Sequence, residues 1–129
     1  MKLVSILYIF LSLGICVIRA ESPIAVRVMT DGFNCKEGII IADQVREIVQ
    51  LDTLLRSFNK ADSTYIIVEI TSYQDGGTAV INAEFATVSP IQKNELDYKY
   101  TRRLVSKTLV DMKEISTNIV EKVHLIRKN

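Results

Sequence analysis

The chain has 129 residues, of which 48% are hydrophobic and 24% are charged, with only two prolines and five glycines. This composition excludes a disordered or collagen-like chain, and the absence of an internal repeat excludes a solenoid. The 16 basic and 15 acidic residues give a net charge of +1. That charge is too small to indicate a nucleic-acid-binding protein from bulk electrostatics, and no DNA partner is expected.

The first twenty residues, MKLVSILYIFLSLGICVIRA, have the layout of a secretory signal peptide. Lys2 precedes an uninterrupted apolar run, and Ala20 stands at the expected cleavage site. The rival interpretation is a membrane anchor, but the run is about 16 residues long and a spanning helix needs roughly 20. We therefore expect a signal peptide at 1–20, one secreted domain at 21–129 and no membrane association after cleavage.

Cleavage leaves Cys35 as the only cysteine. Small secreted domains are commonly stabilised by disulfides, and this one cannot form a disulfide within its own chain. A domain of this length buries about 65% of the surface of its unfolded chain. A conventional apolar core must therefore supply the stability.

The first half of the domain predicts a strand, a second short strand and a helix. Ile24–Met29 is apolar and is closed by a turn at 30–32, and a short strand is expected from Phe33 to about Ile41. Asp43 then offers a carboxylate as helix N-cap. Apolar residues follow at helical spacing up to an end near Asn59: Val45, Ile48, Val49, Leu55 and Phe58.

The most specific structural signal is a β-hairpin. Residues 64–72 are rich in β-branched side chains, and the turn at 73–77 contains Asp75-Gly76, a dipeptide typical of type I′ hairpin turns. On the return strand at 78–88, four inward residues alternate with polar ones: Ala79, Ile81, Ala83 and Phe85. Glu69 and Glu84 are expected to face each other on an exposed side of the pair.

The C-terminal third leaves helix and strand open. Residues 89–97 predict a loop, and beyond it apolar residues keep a helical period to the C-terminus. Two stretches, 101–107 and 118–126, also fit strands, so a helix is favoured in the middle and both ends stay undecided. The predicted fold class is α+β, with a helix packed on an antiparallel sheet.

The candidate partner-binding surface combines the hairpin tip with a basic cluster. Residues 21–98 carry a net charge of −6 and residues 99–129 a net charge of +5. If 99–128 is helical, the basic residues cluster opposite the apolar stripe, where they could meet phosphates, anionic lipid or an acidic protein surface. The alternative is an ordinary solvated face. The candidate contact residues are Tyr73, Asp75, Lys99, Arg102, Arg103 and Lys107.

The sequence predicts no catalytic site, metal site or cofactor. His124 is the only histidine, and acid–base catalysis by histidine needs a nucleophile or a second proton-transfer group beside it. One cysteine and one histidine cannot form a closed zinc site. We expect a protein that is not an enzyme.

The triplet Phe33-Asn34-Cys35, placed shortly after a signal peptide and ahead of a helix and an antiparallel sheet, resembles the ribonuclease-like secreted effectors of powdery mildew fungi. The resemblance implies a ribonuclease-like fold whose catalytic residues are lost, and delivery into the host plant cell. It also implies a virulence or avirulence role through a host protein or RNA, or recognition by an immune receptor. In that family the triplet cysteine usually pairs with a C-terminal cysteine, which this chain lacks.

Two other functions remain open. A helix on an antiparallel sheet is also the architecture of cystatin-like protease inhibitors, but the hairpin here has Gln74-Asp75-Gly76-Gly77 in place of the inhibitory Gln-x-Val-x-Gly. An RNA-binding protein that uses the basic C-terminal segment would lose affinity steeply with added salt.

Overall fold

The computed structural model describes residues 22–30, 32, 34–91 and 95–128. The signal peptide predicted at 1–20 lies outside these residues. The elements, in chain order, are β1 (Ile24–Met29), α1 (Lys36–Leu51), β2 (Leu55–Ser57), β3 (Tyr65–Asp75), β4 (Thr78–Val88), β5 (Glu95–Leu104) and α2 (Leu109–Arg127). No helix among the described residues is long and apolar enough to span a membrane.

The five strands form one sheet in the order β2-β1-β3-β4-β5. Strand β4 is antiparallel to both β3 and β5, whereas β2 and β3, the two strands that flank β1, run parallel to it. The α+β prediction is confirmed, and the C-terminal segment, for which helix and strand stayed open, supplies the second helix. Since β1, α1 and β2 make a parallel crossover unit, the sheet is mixed on the β1 side and antiparallel elsewhere.

The expected strand at 33–41 is wrong from Lys36 onward, because α1 begins there with Cys35 as its N-cap. A run of three isoleucines suggested a strand, yet Ile41, Ala42 and Val45 are completely buried at helical spacing. Asp43 is therefore not the N-cap. It lies within the helix, where its carboxylate accepts a hydrogen bond from the Arg46 guanidinium at 2.9 Å.

This helix also ends earlier in the chain than the sequence predicts. The helix ends at Leu51, and Leu55 belongs to β2. Asp52 adopts an extended backbone as C-cap, and its carboxylate accepts a hydrogen bond from the Leu54 N–H at 2.8 Å. That side-chain bond offers the backbone an alternative to another helical turn, so the chain leaves the helix and returns alongside β1.

The undecided C-terminal segment contains both a strand and a helix. The predicted loop at 89–97 ends too late, because β5 already begins at Glu95, while part of that loop lies outside the described residues. The strand alternative for 101–107 holds as far as Leu104, and 118–126 is helical. Pairing with β4 over most of its length sets the strand, and the buried apolar residues of α2 recur at helical spacing: Met112, Ile115, Ile119 and Val123.

Both helices contribute to one core and leave the opposite face of the β3–β5 region open. The predicted inward residues of β4, from Ala79 to Phe85, are each fully buried, whereas Glu84 is exposed. The core joins them to α1 residues such as Ile41 and α2 residues such as Ile119. The inward residues of the hairpin are therefore confirmed, and the open face carries polar residues such as Glu84 together with apolar ones such as Val80.

Candidate functional site

The open face of β3, β4 and β5 carries rows of side chains that run across the three strands. Strand pairing places three rows side by side: Tyr73–Val80–Arg103, Thr71–Asn82–Thr101 and Glu69–Glu84–Lys99. Side chains opposed across neighbouring strands interact directly. We call these three rows, with Asp75 and Thr78 at the adjoining hairpin tip, the open-face surface.

At the tip of the hairpin, the structure brings two of the predicted contact residues together. The Arg103 guanidinium donates to an Asp75 carboxylate oxygen at 3.0 Å and to Thr78 Oγ1 at 2.7 Å. Gly76 has a left-handed φ of 64°, and Gly77 has no such angle. The hairpin is confirmed, but its turn follows the type II′ pattern in place of type I′.

Tyr73 lies beside this pair in the first row and is 52% exposed. It alternates with Ser72, which is 3% exposed and points into the core side of β3. A large aromatic side chain left half exposed on a strand presents apolar area at a small entropy cost, a common property of contact residues in protein interfaces.

The middle of the open-face surface is polar and slightly concave. Thr101 Oγ1 donates to Asn82 Oδ1 at 2.9 Å, and a depression of about 280 Å³ is lined by Thr71, Asn82, Ala83, Glu84, Lys99, Tyr100 and Thr101. Glu69 and Glu84 are directly opposed, as expected from the sequence. Lys99 stands opposite Glu84 in the next strand and sets a cation beside the two carboxylates.

The basic cluster is divided by the strand. Successive side chains of a strand point to opposite faces, so Arg103 lies on the open face while Arg102 lies on the helix side. There the Arg102 guanidinium donates to Glu114 at 3.1 Å, and the Tyr100 hydroxyl and Glu114 raise the pKa of Arg102. The expectation of one basic face on a helix at 99–128 is therefore wrong.

Most of the predicted cations are already paired with carboxylates. Lys107 donates to Gln74 at 2.9 Å and lies 4.0 Å from a carboxylate oxygen of Glu37. Arg102 and Arg103 have the partners given above. Within the described part of the chain, Lys99 alone among the four predicted cations makes no ion pair within 4.0 Å.

The predicted motif cysteine lies at the start of α1, and Phe33 is outside the described residues. The Cys35 backbone N–H donates to Ser72 Oγ at 3.0 Å, and that hydroxyl donates to Asn34 Oδ1 at 2.9 Å. The Cys35 thiol is free and half-buried. These bonds fix the loop before α1 to strand β3, so the structure gives Cys35 a local structural role at the helix start.

Glu37 is a buried polar residue that the sequence reasoning missed. The residue is 9% exposed, and its carboxylate accepts a hydrogen bond from Gln74 Nε2 at 2.7 Å. Its own backbone N–H lowers its pKa against the opposing effect of burial, and the Cys35 thiol and Lys107 lower it further. An acidic residue in the first turn of a helix is the available sequence signal.

His124 and Cys35 lie at opposite ends of α1. His124 Nε2 is 2.7 Å from an Asp52 carboxylate oxygen, directly after the end of that helix, whereas Cys35 precedes its start. A 16-residue helix is about 24 Å long, so no Cys–His pair is formed. Across the described residues, no group of three or more His, Cys, Asp or Glu side chains is placed to hold a metal ion.

Comparison with known proteins adds no relative. No protein-family model, no curated protein and no solved structure matches this chain significantly. The resemblance to the mildew effectors stays a prediction, and the functional argument rests on the chemistry of the open-face surface.

Proposed function

We propose that the protein is a secreted, non-catalytic effector that acts inside the host plant by binding a host protein through its open-face surface. The observation that supports this most directly is the arrangement of Tyr73, Asp75 and Arg103 at one end of an uncovered sheet face. The signal-peptide pattern at 1–20 supports secretion. An immune receptor that recognises the effector is expected to contact this same surface.

The charge arrangement favours a protein partner over RNA. An RNA-binding surface gains affinity from cations that replace counterions on phosphates, but Arg103 is already paired with Asp75. Glu69 and Glu84 also place negative charge beside Lys99. A surface of mixed charge with an exposed tyrosine resembles the polar rim and aromatic anchor of a protein interface.

The single histidine of the sequence, His124, lies away from the open-face surface, so that surface holds no histidine for acid–base catalysis. A ribonuclease needs two proton-transfer groups close to the scissile phosphate. His124 is bonded to Asp52 where α1 gives way to β2, remote from the hairpin tip and from the start of α1. Its side chain is about one quarter exposed, and it joins two elements of the fold.

The proposal is tested with the mature chain, residues 21–129, bound to host-leaf extract and followed by quantitative mass spectrometry. We expect a specific host protein to be enriched by the wild type, and its affinity to fall about tenfold or more in Tyr73→Ala, the scale of an interface hot spot. Arg103→Glu should act in the same direction because it removes the Asp75 pair and adds a fourth carboxylate to the open-face surface.

The matched controls are Ile39→Ala and Lys113→Glu, which change an exposed apolar and an exposed basic residue on the helices. Both should bind like the wild type. Equal loss in the controls, or no loss in either open-face variant, contradicts the proposal. Hydrolysis of RNA that disappears in His124→Ala, or RNA binding that weakens steeply with salt, would replace it with a different function.

A further inference from the structure

Among the residues that the structure describes, no strand lies beside the outer edge of β5. Strand β5 is last in the sheet order and pairs with β4 alone. The pairing of β5 with β4 has a register shift between Phe85 and Ala86. Beyond that shift, residues 98–104 pair with β4 without interruption. Over these residues, no backbone hydrogen bond goes to anything except β4. This edge therefore offers a row of unused N–H and C=O groups.

Exposed apolar side chains concentrate on the elements that flank this edge. Among the described residues, nine large hydrophobic side chains are exposed, and five of them belong to β5, to α2 or to the connection between the two. They are Tyr98 (40% exposed), Val105 (71%), Leu109 (66%), Val110 (77%) and Leu125 (55%). A free strand edge and an apolar surface on the same side of the molecule together indicate a protein contact.

Helix α2 runs antiparallel to β5 along its length. Glu114 accepts from Arg102 at 3.1 Å, and Asn118 Nδ2 donates to the Tyr100 hydroxyl at 3.4 Å. One turn further on, the Lys122 ammonium lies 5.4 Å from the centre of the Tyr98 ring. Asn118 on the helix therefore lies beside Tyr100 on the strand. Val110 and Leu125 lie at similar distances from Asn118, one towards each end of the helix.

We propose that two copies of the chain associate by pairing their β5 edges antiparallel around a twofold axis at Tyr100. The two sheets then continue as one ten-stranded sheet, and the two α2 helices lie side by side on it. Strands are spaced about 4.8 Å apart and packed helices about 10 Å apart. A helix at the outer part of each sheet is thus a direct neighbour of its symmetry mate.

The twofold axis at Tyr100 makes this side of the molecule complementary to itself, which is why a second copy is the occupant. On the helices, the axis passes near Asn118, so Glu114 comes opposite Lys122 of the second copy. Val110 likewise comes opposite Leu125 of the second copy. A contact that uses the same patch on both chains closes as a dimer and leaves neither β5 edge unpaired.

The charges of β5 do not block this pairing. Side chains of a strand point above and below the sheet, and both arginines are turned to partners within their own chain, Arg102 to Glu114 and Arg103 to Asp75. Lys99 comes opposite Thr101 of the second copy, which is uncharged. The edge itself stays accessible to another backbone.

The first test is the molar mass of the purified mature chain, residues 21–129, by sedimentation velocity over a range of concentrations. We expect a dimer whose dissociation constant rises about tenfold or more in Val110→Asp and Leu125→Asp, because each buries a carboxylate in the apolar contact. Ile39→Asp, a matched change at a half-exposed aliphatic residue on α1, should leave the dimer intact.

The second test exchanges the charges across the axis. Glu114→Lys and Lys122→Glu should each weaken the dimer several-fold at low salt, since each sets like charges opposite one another. The double variant restores the attraction and should recover the wild-type dissociation constant. A chain that is monomeric up to about 100 μM, where even weak specific contacts are populated, overturns the proposal. So does a dimer that ignores these variants, or one in which the double variant gives no recovery.

Discussion

At the scale of single residues, Gly38 is the one described glycine at which an added β-carbon would meet neighbouring atoms. A β-carbon built on Gly38 would lie 1.8 Å from Ser72 Oγ and 2.6 Å from Ser72 Cβ. Ser72 is buried and held by the Cys35 N–H and by Asn34, so it cannot move aside without breaking those bonds. The glycine is needed for the close approach of α1 to β3, and its φ plays no part.

Gly38→Ala should therefore destabilise the protein by about 1–3 kcal/mol, the usual cost of overpacking a core. In an ordinary helix interior the same change stabilises by up to about 1 kcal/mol. Urea unfolding followed by circular dichroism measures the difference. Gly77→Ala is the control, because nothing lies within 4 Å of a β-carbon there, and its effect should be small. A neutral or stabilising Gly38→Ala contradicts the argument.

The residue scale also shows what single-sequence reasoning could not reach. The sequence predicts both Asp75 and Arg103 as contact residues. It does not predict that they pair with each other, because their pairing depends on the register of β5 against β4. Glu37 was not chosen, because its burial follows from Gln74 and Lys107, which are far away in the chain. Side-chain type is visible in a sequence, whereas the partner of a charge is set by strand pairing.

At the scale of elements, the two helices begin in different ways. Thr108 caps α2, since its hydroxyl accepts a hydrogen bond from the Asp111 N–H at 3.1 Å. Cys35 is the N-cap of α1, but its side chain accepts no hydrogen bond from an N–H of the first turn. A serine at the N-cap offers an oxygen acceptor for a free N–H of the first turn, and a thiol is a much weaker acceptor.

Cys35→Ser should consequently raise the free energy of unfolding by about 0.5–1 kcal/mol, and Thr108→Ala should lower it by about 1 kcal/mol. Both follow from chemical denaturation under reducing conditions. Because Cys35 is the only cysteine of residues 21–129, the serine variant removes no disulfide within that segment. A large loss of stability in Cys35→Ser would show that the thiol itself contributes to the fold in a way the cap geometry does not include.

Elements were predictable where pattern and pairing agree. The β3–β4 hairpin has clear alternation and a glycine turn, and its bounds were close to the observed ones. The start of α1 was missed because three consecutive isoleucines fit a strand as well as a buried helix, and Asp43 resembled a cap. The sequence does not show where the C-terminal segment divides into β5 and α2, since TRRLVSK has no period that distinguishes a strand from a helix.

At the scale of the whole molecule, the Asp52–His124 contact joins the end of α1 to the last turn of α2. Burial acts to raise the pKa of Asp52, but the Leu54 N–H and the His124 ring outweigh it, and Arg127 helps them hold the pKa below its usual range. The carboxylate therefore stabilises the folded chain while it is ionised. Because the pKa is depressed by folding, this stabilisation is complete above the ordinary value of 3.8 and is lost as the pH falls through the lower folded value.

Asp52→Asn should cost about 1–2 kcal/mol at neutral pH, the scale of a hydrogen bond to a charged group. The difference from the wild type should then shrink as the pH falls from about 5 towards 2, because the wild-type carboxyl becomes protonated and loses the same interactions. Thr108→Ala is the control: it lacks a titrating group at the changed site, so its deficit should stay constant over that range. Urea unfolding of the three proteins at each pH gives the comparison. A deficit in Asp52→Asn that does not change with pH would mean that the charge of Asp52 contributes nothing to holding the two helices together.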